Sequence, residues 1–155
     1  MIENYGATTE EWDFFSKLAM KDLLPVVSNP KARISERSSL TAIGKTPSIY
    51  DGARNIVGIP KWTKKISTRA NINSWKTEPD YGICLQTRKW RAYDIDVEDS
   101  DLVARIIENI QSIVGTELPI RFRENSNKCL LLFKMPGDFS KTVARLPNNQ
   151  GMIEF

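Results

Sequence analysis

The chain of 155 residues is long enough to bury the core of one domain, and its 41% apolar and 26% charged shares are those of an ordinary globular protein. It has no histidine and two cysteines, which excludes Ser-His and Cys-His nucleophile pairs and the usual four-ligand zinc sites, and leaves carboxylates, Lys, Arg and a hard ion such as magnesium, manganese or calcium to carry any chemistry. The net charge of +3 is uneven, because Ser28 to Arg69 holds nine basic residues against two acidic ones, a net of +7 that leaves −4 for the remainder and suggests a phosphate-bearing partner.

Residues 8 to 24 read as the first helix. Thr8 and Glu11 stand at capping-box spacing, and Trp12, Phe15, Leu18, Ala19 and Leu23 recur at three- and four-residue intervals before Pro25 ends the pattern. Leu24 to Val27 can begin a strand. Ser28 to Pro60 is rich in Ser, Pro, Gly and basic residues with little periodicity, which predicts a long functional loop. Gly44-Lys45-Thr46-Pro47-Ser48 within it is no Walker-type loop, since Ser39 stands where that pattern needs glycine and Pro47 obstructs a helix starting there. Lys45 can still meet a phosphate as a point charge.

Lys61-Trp62-Thr63 leads to a short helix from about Arg69 to Trp75, capped by Ser67 or Thr68, and Pro79-Asp80 makes a turn. Tyr81 to Thr87 and Arg88 to Val97 are expected to form the two strands of a hairpin. In the second, a period of two puts Ala92, Asp94 and Asp96 on one face and turns Tyr93, Ile95 and Val97 to the core. Two carboxylates so close raise the pKa of one of them unless a cation or donor intervenes, and a divalent metal is the natural candidate. A strand end whose aspartates face water fits the same residues.

Asp99 or Ser100 caps a helix running to about Val114, with Leu102, Val103, Ile106, Ile107, Ile110, Ile113 and Val114 on its apolar side and Gly115 at its end. Three strands follow: Leu118 to Arg123, Cys129 to Lys134 and Gly151 to Phe155. The first sets Arg121 and Arg123 on one face, and the last sets Met152 and Glu154 opposite Ile153 and Phe155. Cys84 and Cys129 lie in apolar runs, where reduced buried thiols are expected. No apolar run approaches the roughly 20 residues that cross a bilayer, and the N-terminus lacks a basic segment followed by an apolar one, so the expected setting is cytoplasmic with no membrane partner.

Leu24-Pro25-Val26, Gly44-Lys45-Thr46-Pro47, Lys61-Trp62-Thr63, Ile72 to Trp75, Tyr81 to Thr87, Asp94-Ile95-Asp96, Leu118 to Arg121 and Gly151 to Phe155 together resemble, in order and spacing, the N-terminal primase-polymerase (prim-pol) domain of the archaeo-eukaryotic primase superfamily, in its phage and plasmid replication versions. The resemblance implies an α+β fold, a mixed or antiparallel sheet with flanking helices, and a single catalytic domain over residues 1–155. It also implies the N-terminal part of a longer replication protein, working with a helicase domain or protein in a bacterial cell or phage-infected host. Asp94 and Asp96 match the family's first motif and Glu154 its third. Ser126 is retained from the second, where Lys128 replaces the histidine.

On this resemblance Asp94, Asp96 and Glu154 would hold two magnesium or manganese ions roughly 3.5 to 4 Å apart. Arg121, Arg123 and Lys128 would clamp a nucleoside triphosphate with Ser126 as a hydrogen-bonding partner. Lys45, Lys61, Lys64 and Lys65 are candidate contacts to single-stranded DNA template phosphates, though a solvated loop accounts for them equally well. Trp62 is open between base stacking and core, whereas Trp75 reads as core. The implied activity is template-directed nucleotidyl transfer by a primase and DNA polymerase. The alternatives are an inactive nucleic-acid or nucleotide-binding module of the same family and a carboxylate-metal nuclease.

Overall fold

The computed structural model describes residues 4–123, 125–137 and 139–155, which divide into two units, Met1–Gln86 and Thr87–Phe155. Each combines antiparallel strands with α-helix, so the chain is α+β, with three α-helices among the described residues.

In the first unit the capping box forms as its spacing predicts. The Thr8 hydroxyl accepts from the Glu11 N–H at 3.2 Å, the Glu11 carboxylate accepts from the Thr8 N–H at 2.7 Å, and α1 (Thr9–Ala19) follows. The helix is shorter than expected. One 3₁₀ turn, Met20–Asp22, leads into β1 (Leu23–Val27), so Leu23 belongs to a strand, and Pro25 lies inside that strand instead of ending a helix. Pro25 is tolerated because β1 pairs on one side only. Val27 donates its N–H outward to the Ser48 hydroxyl, and two residues back the Pro25 nitrogen lies on that same outer side, where no ladder bond is lost.

The segment expected to be a loop contains a small hairpin, β2 (Ser48–Tyr50) with β3 (Ile56–Gly58). Strands of three residues are too short to display a period. Their turn is held by the Asp51 carboxylate, which accepts from the N–H groups of Ala53 and Asn55, both at 2.9 Å. α2 (Arg69–Trp75) is capped by Thr68 and buries Ile72. β4 (Tyr81–Leu85) then pairs with β1, from Leu23 opposite Leu85 to Val27 opposite Tyr81. The expected hairpin of residues 81 to 97 therefore does not form. All five residues of β1 are buried, and that apolar strand is the partner β4 takes.

The second unit is built around β5 (Trp90–Val97). Adding α3 (Ser100–Val114), β6 (Ile120–Phe122), β7 (Cys129–Lys134), β8 (Val143–Arg145) and β9 (Gly151–Glu154) gives an antiparallel five-stranded sheet in the order β6-β7-β5-β9-β8. The Asp99 carboxylate accepts from the Leu102 N–H at 2.9 Å to start α3, and Gly115, at φ +76°, ends it. Leu102, Val103, Ile106, Ile107 and Ile110 pack on Ile95, Val97, Leu118, Cys129 and Leu131. Ile113, assigned from its spacing to the same apolar side, is 85% exposed. Asp94, Asp96 and Glu154 lie on the sheet's opposite face, among Ala92, Leu130 and Met152. Both cysteines are free thiols, and no helix among the described residues is long and apolar enough to cross a membrane.

Candidate functional site

Antiparallel register sets which side chains share the face away from α3. Asp94 lies directly opposite Glu154 on β9 and opposite Leu130 on β7. Leu130 in turn faces Arg121 on β6, and Glu154 faces Val143 on β8. One row of five thus crosses the sheet in the order Arg121, Leu130, Asp94, Glu154, Val143. Asp96, two residues on, is opposite Met152 and shares the face. Side chains opposed across antiparallel strands have Cβ atoms about 4.5–5.5 Å apart, so Asp94 and Glu154 are near neighbours although sixty residues separate them in the chain.

The field at this face follows from the placement. Burial raises the Asp94 pKa above the usual carboxylate value, the charges of Asp96 and Glu154 raise it further, and Arg123 and Lys128 act in the opposite direction. Lys128 reaches Asp96 at 3.5 Å and Glu98 at 3.7 Å. Glu154 is engaged more closely, by Lys141, with Nζ 2.7 Å from Oε2. Beside the row lies an open cavity of about 470 Å³ whose lining includes Asp94, Glu154, Lys141, Arg91, Phe139 and Phe155. The Arg91 guanidinium stacks over Phe139 at 5.7 Å and donates to the backbone carbonyls of Thr87 and Gly137.

Asn125-Ser126-Asn127-Lys128 forms the turn between β6 and β7. The Arg123 N–H donates to the Lys128 carbonyl at 2.9 Å, and Asn125 takes a positive φ of 54°. The turn is moored to Glu98, just past β5. The Ser126 hydroxyl donates to the Glu98 carboxylate at 3.0 Å, and the Asn127 amide donates to the Glu98 carbonyl at 2.6 Å. Ser126 and Lys128 are thereby brought to the carboxylate face, as is Arg123 through its charge. Arg121 shares the row but stands two strands from Asp94, with Leu130 between them.

Glu98 and Lys141 escaped sequence reasoning. Glu98 carries no motif signal, since it reads as part of the Asp99 cap region. Lys141 depends on β8, whose three exposed residues are too few to announce a strand.

The remaining candidates lie in the first unit. Lys61 at φ +50° begins a 3₁₀ turn, Trp62–Lys64, followed by Lys65. The Ile59 N–H donates to the Pro47 carbonyl at 3.1 Å, so Lys45, just before β2, and Lys61, just after β3, flank the same open end of that hairpin. Lys45, Lys61, Lys64 and Lys65 are exposed and Trp62 is half-buried. Trp75 packs 6.3 Å from the fully buried Trp12, in line with its reading as core.

Asp94, Asp96 and Glu154 are hard oxygen donors on neighbouring strands, and the mutual repulsion that raises the Asp94 pKa is what a bound divalent cation would relieve. As donors they fit magnesium or manganese. In the conformation described, two of the three carboxylates are held by lysine ammonium groups, and among the described residues no cluster of three or more His, Cys, Asp and Glu side chains is drawn together tightly enough to hold a metal ion. The chain matches no family model, no curated protein sequence and no solved structure.

Proposed function

We propose that the chain is a primase-polymerase domain whose second unit carries a nucleotidyl-transfer site built on Asp94, Asp96 and Glu154. The observation that supports this most is the β5–β9 register, which sets Asp94 against Glu154 with Asp96 on the same face. It brings together the three acidic positions that the prim-pol resemblance picks out from distant parts of the sequence. Those residues would hold magnesium or manganese, which when bound would neutralise phosphate charge and activate a 3′-hydroxyl. The protein's own part is positioning and charge. Leu130 and Ala92 floor the face, and Arg123 and Lys128 supply positive field where a triphosphate would approach. Arg121, with its forked guanidinium, suits the outer phosphates. In the first unit, Lys45, Lys61, Lys64, Lys65 and Trp62 are proposed contacts to a single-stranded DNA template, and a helicase domain or protein is the proposed partner in the cytoplasm.

Primer synthesis on single-stranded DNA, with ribo- or deoxyribonucleoside triphosphates and manganese or magnesium, is the test. Wild type is expected to give extended product, and Asp94→Ala and Glu154→Ala to lose it by at least about a hundredfold, the scale of removing one major electrostatic contributor to a transition state. No product from wild type, combined with undiminished metal binding by Asp94→Ala, refutes the proposal.

The ion pairs at Asp96 and Glu154 favour a second reading, a nucleic-acid or nucleotide-binding module that satisfies its own carboxylates and catalyses nothing. It requires salt-sensitive DNA binding without incorporation, unchanged in Asp94→Asn. Consumption of the polynucleotide instead of the triphosphate would mark a nuclease.

A further inference from the structure

We propose that Lys141 is a built-in counter-cation for Glu154 that competes with a divalent ion for the same carboxylate. This rests on the nucleotidyl-transfer reading above and concerns how that site is regulated. Lys141 is not brought to Glu154 by chance packing of a loose loop. The Thr142 N–H donates to the Phe155 carbonyl at 2.9 Å, the Phe155 N–H donates to the Thr142 carbonyl at 2.8 Å, and Val143 is opposite Glu154 in the β8–β9 ladder. Residue 141 is thereby fixed next to the strand that carries Glu154, and its Nζ closes to 2.7 Å from Oε2. Lys128, at 3.5 Å from Asp96 and 3.7 Å from Glu98, divides its charge between two carboxylates at longer range.

The pair has what a displaceable partner requires. The Lys141 side chain is 64% exposed, so its contact is screened and weak enough to break. Its long stem opens onto the cavity that also contains Asp94 and Ser140, leaving the ammonium room to move aside while remaining tethered to the site. A divalent ion placed on Glu154 has to displace this charge, and without that ion the lysine keeps the paired acids from repelling each other uncompensated.

Manganese titration of the full chain, followed by calorimetry or by the electron paramagnetic resonance of free Mn²⁺, tests the competition without reference to activity. Lys141→Met is expected to bind manganese about two- to fivefold more tightly than wild type, the range set by the modest strength of an exposed ion pair. Lys141→Arg, which retains the charge, is expected to keep wild-type affinity. Because the side chain is largely in water, both variants should fold, and unchanged far-ultraviolet circular dichroism verifies it. Equal or weaker binding by Lys141→Met overturns the competition. If wild-type binding is lost in Asp94→Asn yet unaltered in Lys141→Met, the metal reading stands and only this inference falls. No binding by any of the chains at millimolar manganese removes both.

Discussion

Asp94→Asn should stabilise the metal-free protein, although it is expected to abolish catalysis. Asp94 and Glu154 face each other across β5 and β9, and two unit charges placed about 6 Å apart, as directly opposed side chains allow, repel by about 0.7 kcal/mol in bulk water and about 3 kcal/mol at an effective dielectric of 20. The face is open, so screening keeps the real value near the lower figure. Arg123 and Lys128 offset part of it for Asp94, and Lys141 does so for Glu154. The Asp94 pKa is nevertheless raised, so burial and repulsion outweigh attraction at that carboxylate. Replacing it with the isosteric amide should gain about 0.5–1 kcal/mol, within the range of cross-strand pair energies. That is a rise in melting temperature of about 1–4 °C, read by circular dichroism in the presence of a chelator. Saturating manganese should reverse the order, since ligand binding stabilises only the chain that binds it. An Asn variant that melts at or below wild type in chelator would refute the reasoning, because the carboxylate would then be held by its cationic neighbours more than it is opposed by its acidic ones.

In the first unit the buried Asp80 carboxylate accepts from the Tyr50 hydroxyl at 2.5 Å and from the Asn29 amide at 3.0 Å, and burial together with Asp80 pushes the Tyr50 pKa well above its ordinary value. A folded-state pKa above the unfolded one, about 10, contributes stability that is complete below pH 10 and is lost as pH rises beyond it. Tyr50→Phe should therefore cost about 1–2 kcal/mol at pH 7 in urea unfolding and flatten the alkaline decline, whereas an unchanged alkaline slope would count against the assignment. Gly151, at φ +126°, begins β9 where an added Cβ would lie 2.2 Å from the Asp96 carbonyl oxygen. Gly151→Ala should lower the melting temperature by more than any surface change and abolish product formation, because β9 can accept the methyl group only by leaving β5; a fully active, wild-type-stable Ala variant would exclude this register.

What could be read from the sequence was whatever is encoded locally. The Thr8 cap, Gly115 and β7 follow from a few adjacent residues, the caps of α2 and α3 follow to within one residue, Thr68 and Asp99 being the ones used, and the alternation around Asp94 and Asp96 places both on one face without reference to a partner strand. Pairing was another matter. Tyr81–Leu85 and Trp90–Val97 are adjacent and rich in β-formers, so a hairpin is the natural reading, yet one strand pairs back to Leu23–Val27 and the other forward to Cys129–Lys134 and Gly151–Glu154. Nothing within either run distinguishes these partners, because a ladder is specified by the burial of distant strands. The same holds at the site. The aspartate pair is visible as a motif, whereas Lys141 and Glu98 acquire their roles only when β8 and the β6–β7 turn come to rest beside them.

The sheet order also makes the carboxylate face depend on pairings between strands far apart in the chain. The strand bearing Asp94 takes one neighbour, β7, from beyond α3 and the β6–β7 turn, and its other neighbour, β9, which brings Glu154, from farther still along the chain. Closing so long a loop is slow, and here the closing step also brings two negative charges face to face. Dissolved cations should therefore speed the docking of β9, and a chain caught before that step would hold the aspartates without the glutamate. Capture of a cation by all three acids would then report that β9 has docked on β5.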